Sequence, residues 1–179
     1  MSKGCKLVPT DCIGGKILWG HPDGYFLNAQ GLKLAHDFNP AKQRGRTVKH
    51  PSAGGFTGSI YPMLRSYGNK ACHLLMAFAF YGIRPTYMDI KTGKEYVGIC
   101  HHIIPDKLDY RPANLLCWLT REQHNEADRR QRVLKKILPD MNEISYDEHR
   151  RLQDPRVTSK EQFDVELEKL RLSFNSLKS

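Results

Sequence analysis

Between Ile99 and Arg130 the chain reads ICHHIIPDKLDYRPANLLCWLTREQHNEADRR, which gathers a His101–His102 doublet, Asn114 and His124 within 24 residues. Imidazoles can ligate a metal ion or move a proton near neutral pH, and a carboxamide can pin a loop through paired hydrogen bonds. If the doublet lies on a strand, its two side chains point to opposite faces, so they cannot share one task. One can face a metal while the other faces water. Asp128 follows His124 by four residues. On a helix both lie on one face, where Asp128 can act as a further carboxylate ligand or as a partner that orients a ligand.

The surrounding pattern supplies elements to position these groups. Tyr87 to His102 reads as a β-hairpin folded at Lys91–Lys94, and IIPDKLDYRPAN as an ordered, turn-rich loop. Leu115 to Leu119 is a short apolar strand. Thr120 with Gln123 has the form of a capping box, which predicts a helix from about Arg121 to Leu138 that stops at Pro139. Upstream, residues 1–16 form an N-terminal arm whose first twelve residues read as loose. The runs ILW, YFLN and LKLA read as short strands between Lys16 and Ala35, residues 39–58 as a basic loop, and Ile60 to Ser66 as a strand. Ala71 to Tyr81 has helical apolar spacing and ends at Gly82. Downstream, short and long helices are expected at Tyr146–Gln153 and Lys160–Leu177. Phe163, Leu167, Leu170 and Phe174 form a stripe on the second, which suits packing on the domain or, alternatively, dimerisation.

The order strand, ordered loop, short strand, helix, with these residue types, resembles the HNH motif of the ββα-metal (His-Me finger) nucleases. The segments GNKACHLLMAFAF, which includes His73, and PDGYFLNAQG are also similar to parts of phage-type and homing endonucleases. The resemblance covers roughly residues 17–136. It implies an α+β fold in which a small β-rich module with a helix (17–82) precedes a ββα-metal nuclease core (83–138), with a helical tail (139–179) outside it. It further implies that His101 and His124 bind one divalent metal, with Asp128 as a candidate third ligand. His102 would be the general base and Asn114 the loop tether. Phosphodiester hydrolysis needs an activated nucleophile and compensation for growing negative charge, and such a set supplies both. Magnesium is the family expectation. Two imidazoles are softer ligands than magnesium prefers, which favours manganese, nickel or zinc in vitro. The chain departs from the family in carrying Ile104-Pro105 and Asp109-Tyr110 after the doublet, and one extra residue in LLCWLT.

Plainer readings compete with each assignment. His73 on an apolar helix suits a structural hydrogen-bonding role. Asp128 suits a solvated helix acid. Cys100, His102, Cys117 and His124 lack the close ligand pairs of a structural zinc site. A Cys100–His101 hydrolase pair would point to opposite strand faces. The rival from another class is a DNA-binding or assembly protein that keeps the fold without the activity.

Charge points to the partner. The 179 residues carry a net +9, but residues 139–179 hold nine acids against seven bases, so the preceding body carries +11. That asymmetry predicts a nucleic-acid partner for the body, which the resemblance implies is DNA, held by Lys and Arg of residues 33–70 and by Arg121, Arg129 and Arg132 of the predicted helix. Five cysteines without a C-x-x-C pair suit reduced thiols. With no long apolar run and no signal-like start, the expectation is a soluble cytoplasmic protein of a bacterial or phage-infected cell, monomeric or homodimeric and away from membranes.

The segment 42–49 carries Lys42, Arg44, Arg46 and Lys49 without an acid. Neutralising all four should weaken binding to many DNA sequences about equally and flatten its salt dependence, by about 0.9 in logarithmic slope for each phosphate left without its cation. A salt titration of parent and quadruple variant checks this, and identical slopes would remove the segment from the interface.

Overall fold

The computed structural model describes residues 3–36, 61–90, 92–138 and 140–176. The basic segment with Lys42, Arg44, Arg46 and Lys49 lies outside them. The architecture is mixed α+β, with small antiparallel sheets and, among the described residues, four α-helices. The chain divides into two compact units, Met1–Ile83 with Asp106–Pro112, and Arg84–Pro105 with Ala113–Ser179.

In the first unit, strand β1 (Lys6–Leu7) pairs with β2 (Leu18–His21), which pairs with β3 (Tyr25–Asn28). The expected loose arm is therefore partly ordered. Val8 and Ile13 are buried and anchor it, and two-residue strands leave no alternation to read in sequence. The LKLA run contributes only an isolated bridge at Lys33. The expected strand before residue 66 shortens to β4 (Met63–Leu64), paired with β5 (Lys70–Ala71), because a 3₁₀ turn begins at Arg65. Helix α1 (Cys72–Tyr81) buries Leu75, Met76 and Ala77. Gly20 lets β2 approach it, since a Cβ there would lie 3.0 Å from the Met76 sulfur.

The second unit begins with a hairpin of β6 (Thr86–Met88) and β7 (Glu95–Val97). The expected hairpin through His102 is corrected here. After Gly98 the chain leaves this ladder, and β8 (Ile99–His102) pairs instead with β9 (Leu115–Leu119). Gly98 sits at the crossing, where a Cβ would come within 3.1 Å of the Trp118 backbone and 3.3 Å of Pro85. Ile99 faces Leu119 while His101 faces Leu116, so β9 carries one more residue than β8 between these pairs. Trp118 takes the left-handed conformation within this bulge, at φ 61°.

Helix α2 (Arg121–Ile137) starts at the reciprocal Thr120–Gln123 capping box, with Lys135 and Lys136 in its last turn. Ala127 packs on Ile103, Leu116 and Leu119, which fixes the helix against the β8–β9 ribbon. Further along, Leu134 and Leu138 join Met141, Leu152 of α3 (Tyr146–Gln153), and Phe163 and Leu167 of α4 (Lys160–Ser176) in a second apolar cluster. Leu170 and Phe174 pack on its edge, so the apolar stripe of α4 lies on its own chain. Arg150 donates to the Leu115 and Ala113 carbonyls and Arg156 to the Cys117 carbonyl, which covers the outer edge of β9.

Arg130 binds the tail to α2. It is 1% exposed, and its Nη1 donates to the carbonyls of Leu152 at 3.1 Å and Thr158 at 2.8 Å. Its guanidinium lies over the Phe163 ring, and its Nε donates to Glu126 at 2.8 Å. Hydrogen bonds from Arg129, then from Arg130, outweigh desolvation and bring the Glu126 pKa down to about 2. A depressed carboxylate pKa contributes stability that is fully present above the unfolded value of 4.5 and lost as pH falls through about 2. Melting temperature should therefore decline across that window. Glu126→Gln should lose about 2 kcal/mol at pH 7 by replacing the charge-assisted hydrogen bonds from Arg129 and Arg130 with neutral ones, and should flatten the acid decline. Melts of both proteins from pH 7 to pH 2 check this, and parallel curves would contradict it.

Candidate metal centre

Strand β8, helix α2 and the packing between them bring three of the sequence-predicted residues together. His101, His124 and Asp128 offer ligand atoms that all lie within 4.8 Å of one another. His101 Nδ1 is 3.1 Å from Asp128 Oδ1, and His124 Nδ1 is 3.6 Å from Asp128 Oδ2. The two imidazoles meet edge to face, with ring centroids 5.4 Å apart. His124 is the fourth residue of α2 and Asp128 is one turn further, so the helix presents both to the strand.

The cluster is graded in exposure. The side chain of His101 is 4% exposed, that of His124 25% and that of Asp128 43%. Desolvation lowers the His101 pKa, against smaller raising contributions from Gln153 and Asp128. Two imidazole nitrogens and a carboxylate oxygen make a borderline donor set, open on its carboxylate side. It suits a divalent transition ion with positions left for water or substrate better than it suits an all-oxygen magnesium site.

His102 lies outside this cluster. It pairs with Leu115, is 9% exposed, and follows His101 on the strand. Asn114 is fully buried and closes on both backbone groups of Ile104: its Oδ1 accepts from the Ile104 amide at 2.7 Å, and its Nδ2 donates to the Ile104 carbonyl at 3.2 Å. Its own carbonyl accepts from the Ile103 amide at 2.9 Å. Asn114 thereby joins the end of β8 to the start of β9, across the intervening residues 106–112.

Gln131 is a site residue that the motif does not mark. Its Nε2 donates to the carbonyls of His102 and of Ile103, the latter at 2.7 Å. Both amide protons are used in this way, so the 3.3 Å approach of Gln131 Nε2 to His101 Nε2 is a close approach without a hydrogen bond. A signal for Gln131 exists in the spacing 124, 128, 131, which places it on the helix face that carries His124 and Asp128.

The three helix arginines differ. The Arg121 guanidinium lies over the Tyr96 ring, and its backbone amide donates to the Tyr96 hydroxyl. Arg129 is doubly hydrogen-bonded to Glu126 and lies over Phe163. Arg132 is exposed, and its Nε donates to the Asp128 carbonyl of its own helix. With Val133, Lys135 and Lys136, Arg129 and Arg132 line an open, basic groove along α2.

The competing chemistries find less support. Cys100 and Cys117 have their sulfurs 3.1 Å apart across β8–β9. They form no metal-ligating group with His102 and His124 among the described residues. His73 is buried on α1 with its ring tilted against Tyr61, 4.4 Å between centroids. No described helix is long and apolar enough to cross a membrane. Comparisons with models of protein families, with curated proteins and with solved structures found no match.

Proposed function

We propose that this protein is a metal-dependent DNA endonuclease of the HNH type, and that its β8–β9–α2 unit is the ββα-metal core. The observation that carries the reading is the convergence of His101, His124 and Asp128 from a strand and the following helix, three donors suited to one divalent ion. An inactive DNA-binding relative would not require such a donor set.

A divalent ion held there supplies Lewis-acid compensation for charge on the phosphoryl and leaving oxygens. The chain's own groups do the rest. An imidazole nitrogen of His102 takes the proton from the attacking water once the site opens enough to admit it, since the residue is 9% exposed. Asn114 holds the strand end through Ile103 and Ile104, which limits movement of His102. Gln131 adds a second grip on the His102 and Ile103 carbonyls from the helix side. Arg132, Lys135 and Lys136 offer phosphate contacts along α2, with the Lys and Arg of residues 33–70 as further candidates. Arg129 is better read as a structural partner of Glu126, and Arg121 as a residue stacked on Tyr96 whose guanidinium edge can still meet phosphate.

The test is nicking of supercoiled plasmid in the presence of Mn²⁺ or Mg²⁺. Cleavage should disappear with EDTA and return with excess metal. His102→Ala should lower the rate about 10²–10⁴-fold while Zn²⁺ affinity, measured calorimetrically, stays near the parent's. His101→Ala and His124→Ala should lose both. A parent chain that binds DNA without cutting it under any divalent ion would favour the inactive reading, and a fully active His102→Ala would move the base elsewhere.

A further inference from the structure

The helical tail reaches the proposed metal centre through a chain of hydrogen bonds whose polarity can be followed atom by atom. His149 is fully buried on α3, and its Nε2 meets the Met141 carbonyl. A carbonyl only accepts, so His149 carries its proton on Nε2 and presents a lone pair at Nδ1. Burial also lowers the His149 pKa, which favours this neutral form. Gln153, one turn further along α3 and also fully buried, has its Nε2 3.3 Å from His149 Nδ1 and 3.0 Å from the Ile103 carbonyl. Two acceptors therefore take both of its amide protons. They also settle which end of the carboxamide is nitrogen, because a flip would set an oxygen against the Ile103 oxygen. The Gln153 Oε1 is left facing His101 Nε2 at 3.2 Å.

We infer that His149 and Gln153 are positioning residues of the metal centre: they hold His101 as the Nε2–H tautomer, so that its Nδ1 lone pair faces Asp128 and His124. The inference rests on the metal-site reading above and deepens it. Gln153 Oε1 can only accept, so it draws the His101 proton to Nε2, while Asp128 Oδ1, also an acceptor, competes for it at Nδ1 until a cation takes that side. Nδ1 then faces Asp128 Oδ1 at 3.1 Å as one acceptor opposite another. A cation ligated by both atoms satisfies that arrangement. Metal-ligating imidazoles are commonly oriented by a hydrogen bond from the nitrogen that does not bind the ion, and removal of such a partner costs about 10–100-fold in affinity. Here the partner comes from residues 146–153, beyond the strand and helix that carry the ligands. The acidic tail thus has a task at the site that its charge does not suggest.

The test uses the full chain, labelled with ¹⁵N, and Zn²⁺ as probe. Long-range ¹H–¹⁵N spectra report the tautomer of each imidazole, and His101→Ala assigns the His101 signals by their disappearance. In the parent, His101 should show a protonated Nε2 and an unprotonated Nδ1 at neutral pH. Adding Zn²⁺ should move the Nδ1 resonance and leave Nε2 protonated. Gln153→Leu should release the tautomer and weaken Zn²⁺ binding about 10–100-fold. His149→Phe, which leaves Gln153 in place but removes its anchor, should show a smaller effect of the same kind. A Gln153→Leu protein that is folded by its melting curve yet keeps the parent's tautomer and affinity would overturn the inference. So would a parent His101 protonated on Nδ1, a result that needs no variant to fold. Failure of the metal reading is seen separately: His124→Ala and Asp128→Asn would then bind Zn²⁺ as the parent does, whatever the tautomer of His101.

Discussion

The approach of His101 Nδ1 to Asp128 Oδ1, 3.1 Å, is the constraint on which the site depends. With His101 held as the Nε2–H tautomer inferred above, both atoms offer lone pairs, and such a pair is stable only when something positive lies between them. In most surface His–Asp pairs that is the imidazole's own proton. Here the Nε2 edge of the ring meets Gln153 of α3, and the ring is almost wholly buried. A buried imidazole, a half-exposed carboxylate and a second imidazole, with ligand atoms all within 4.8 Å of one another, form a group that could hold a metal ion. The remaining packing keeps those three groups converged.

That convergence depends on few apolar contacts near the ligands and many polar ones behind them. Ala127, Ile103, Leu116 and Leu119 set the distance between α2 and the ribbon, a small core for so short a strand pair. The larger core lies further along α2, where Leu134, Leu138, Leu152, Phe163 and Leu167 meet. Arg130 couples the two regions by spanning from Glu126 to the carbonyls of Leu152 and Thr158. Burying a guanidinium is costly unless each donor is used, and here carbonyls, a carboxylate and an aromatic face use it. The tail therefore completes the unit that holds His101, His124 and Asp128.

Much of this was legible in the sequence where local rules are strong. The Thr120–Gln123 capping box marked the start of α2, and the i, i+4 spacing put His124 and Asp128 on one face. The apolar stripe of α4 was visible at Phe163 and Leu167. What could not be read was long-range pairing. Tyr87–His102 has the pattern of one hairpin, and nothing local in it marks the change of partner after Gly98 that pairs β8 with β9. The arm at Lys6–Leu7 is too short to show alternation. Gln153 and His149 were invisible for a different reason. Two polar residues on a short amphipathic helix look like its solvent face, and their burial follows only from where α3 packs.

Anomalous scattering from a crystal grown with Zn²⁺ would locate the ion and its ligand atoms together. One ion should be bonded at about 2.0–2.2 Å to His101 through Nδ1, to a nitrogen of His124 and to a carboxylate oxygen of Asp128. Gln153 Oε1 should still accept from His101 Nε2. An ion bound away from these three residues, or bound to His101 through Nε2 with Gln153 displaced, would contradict the metal centre described here.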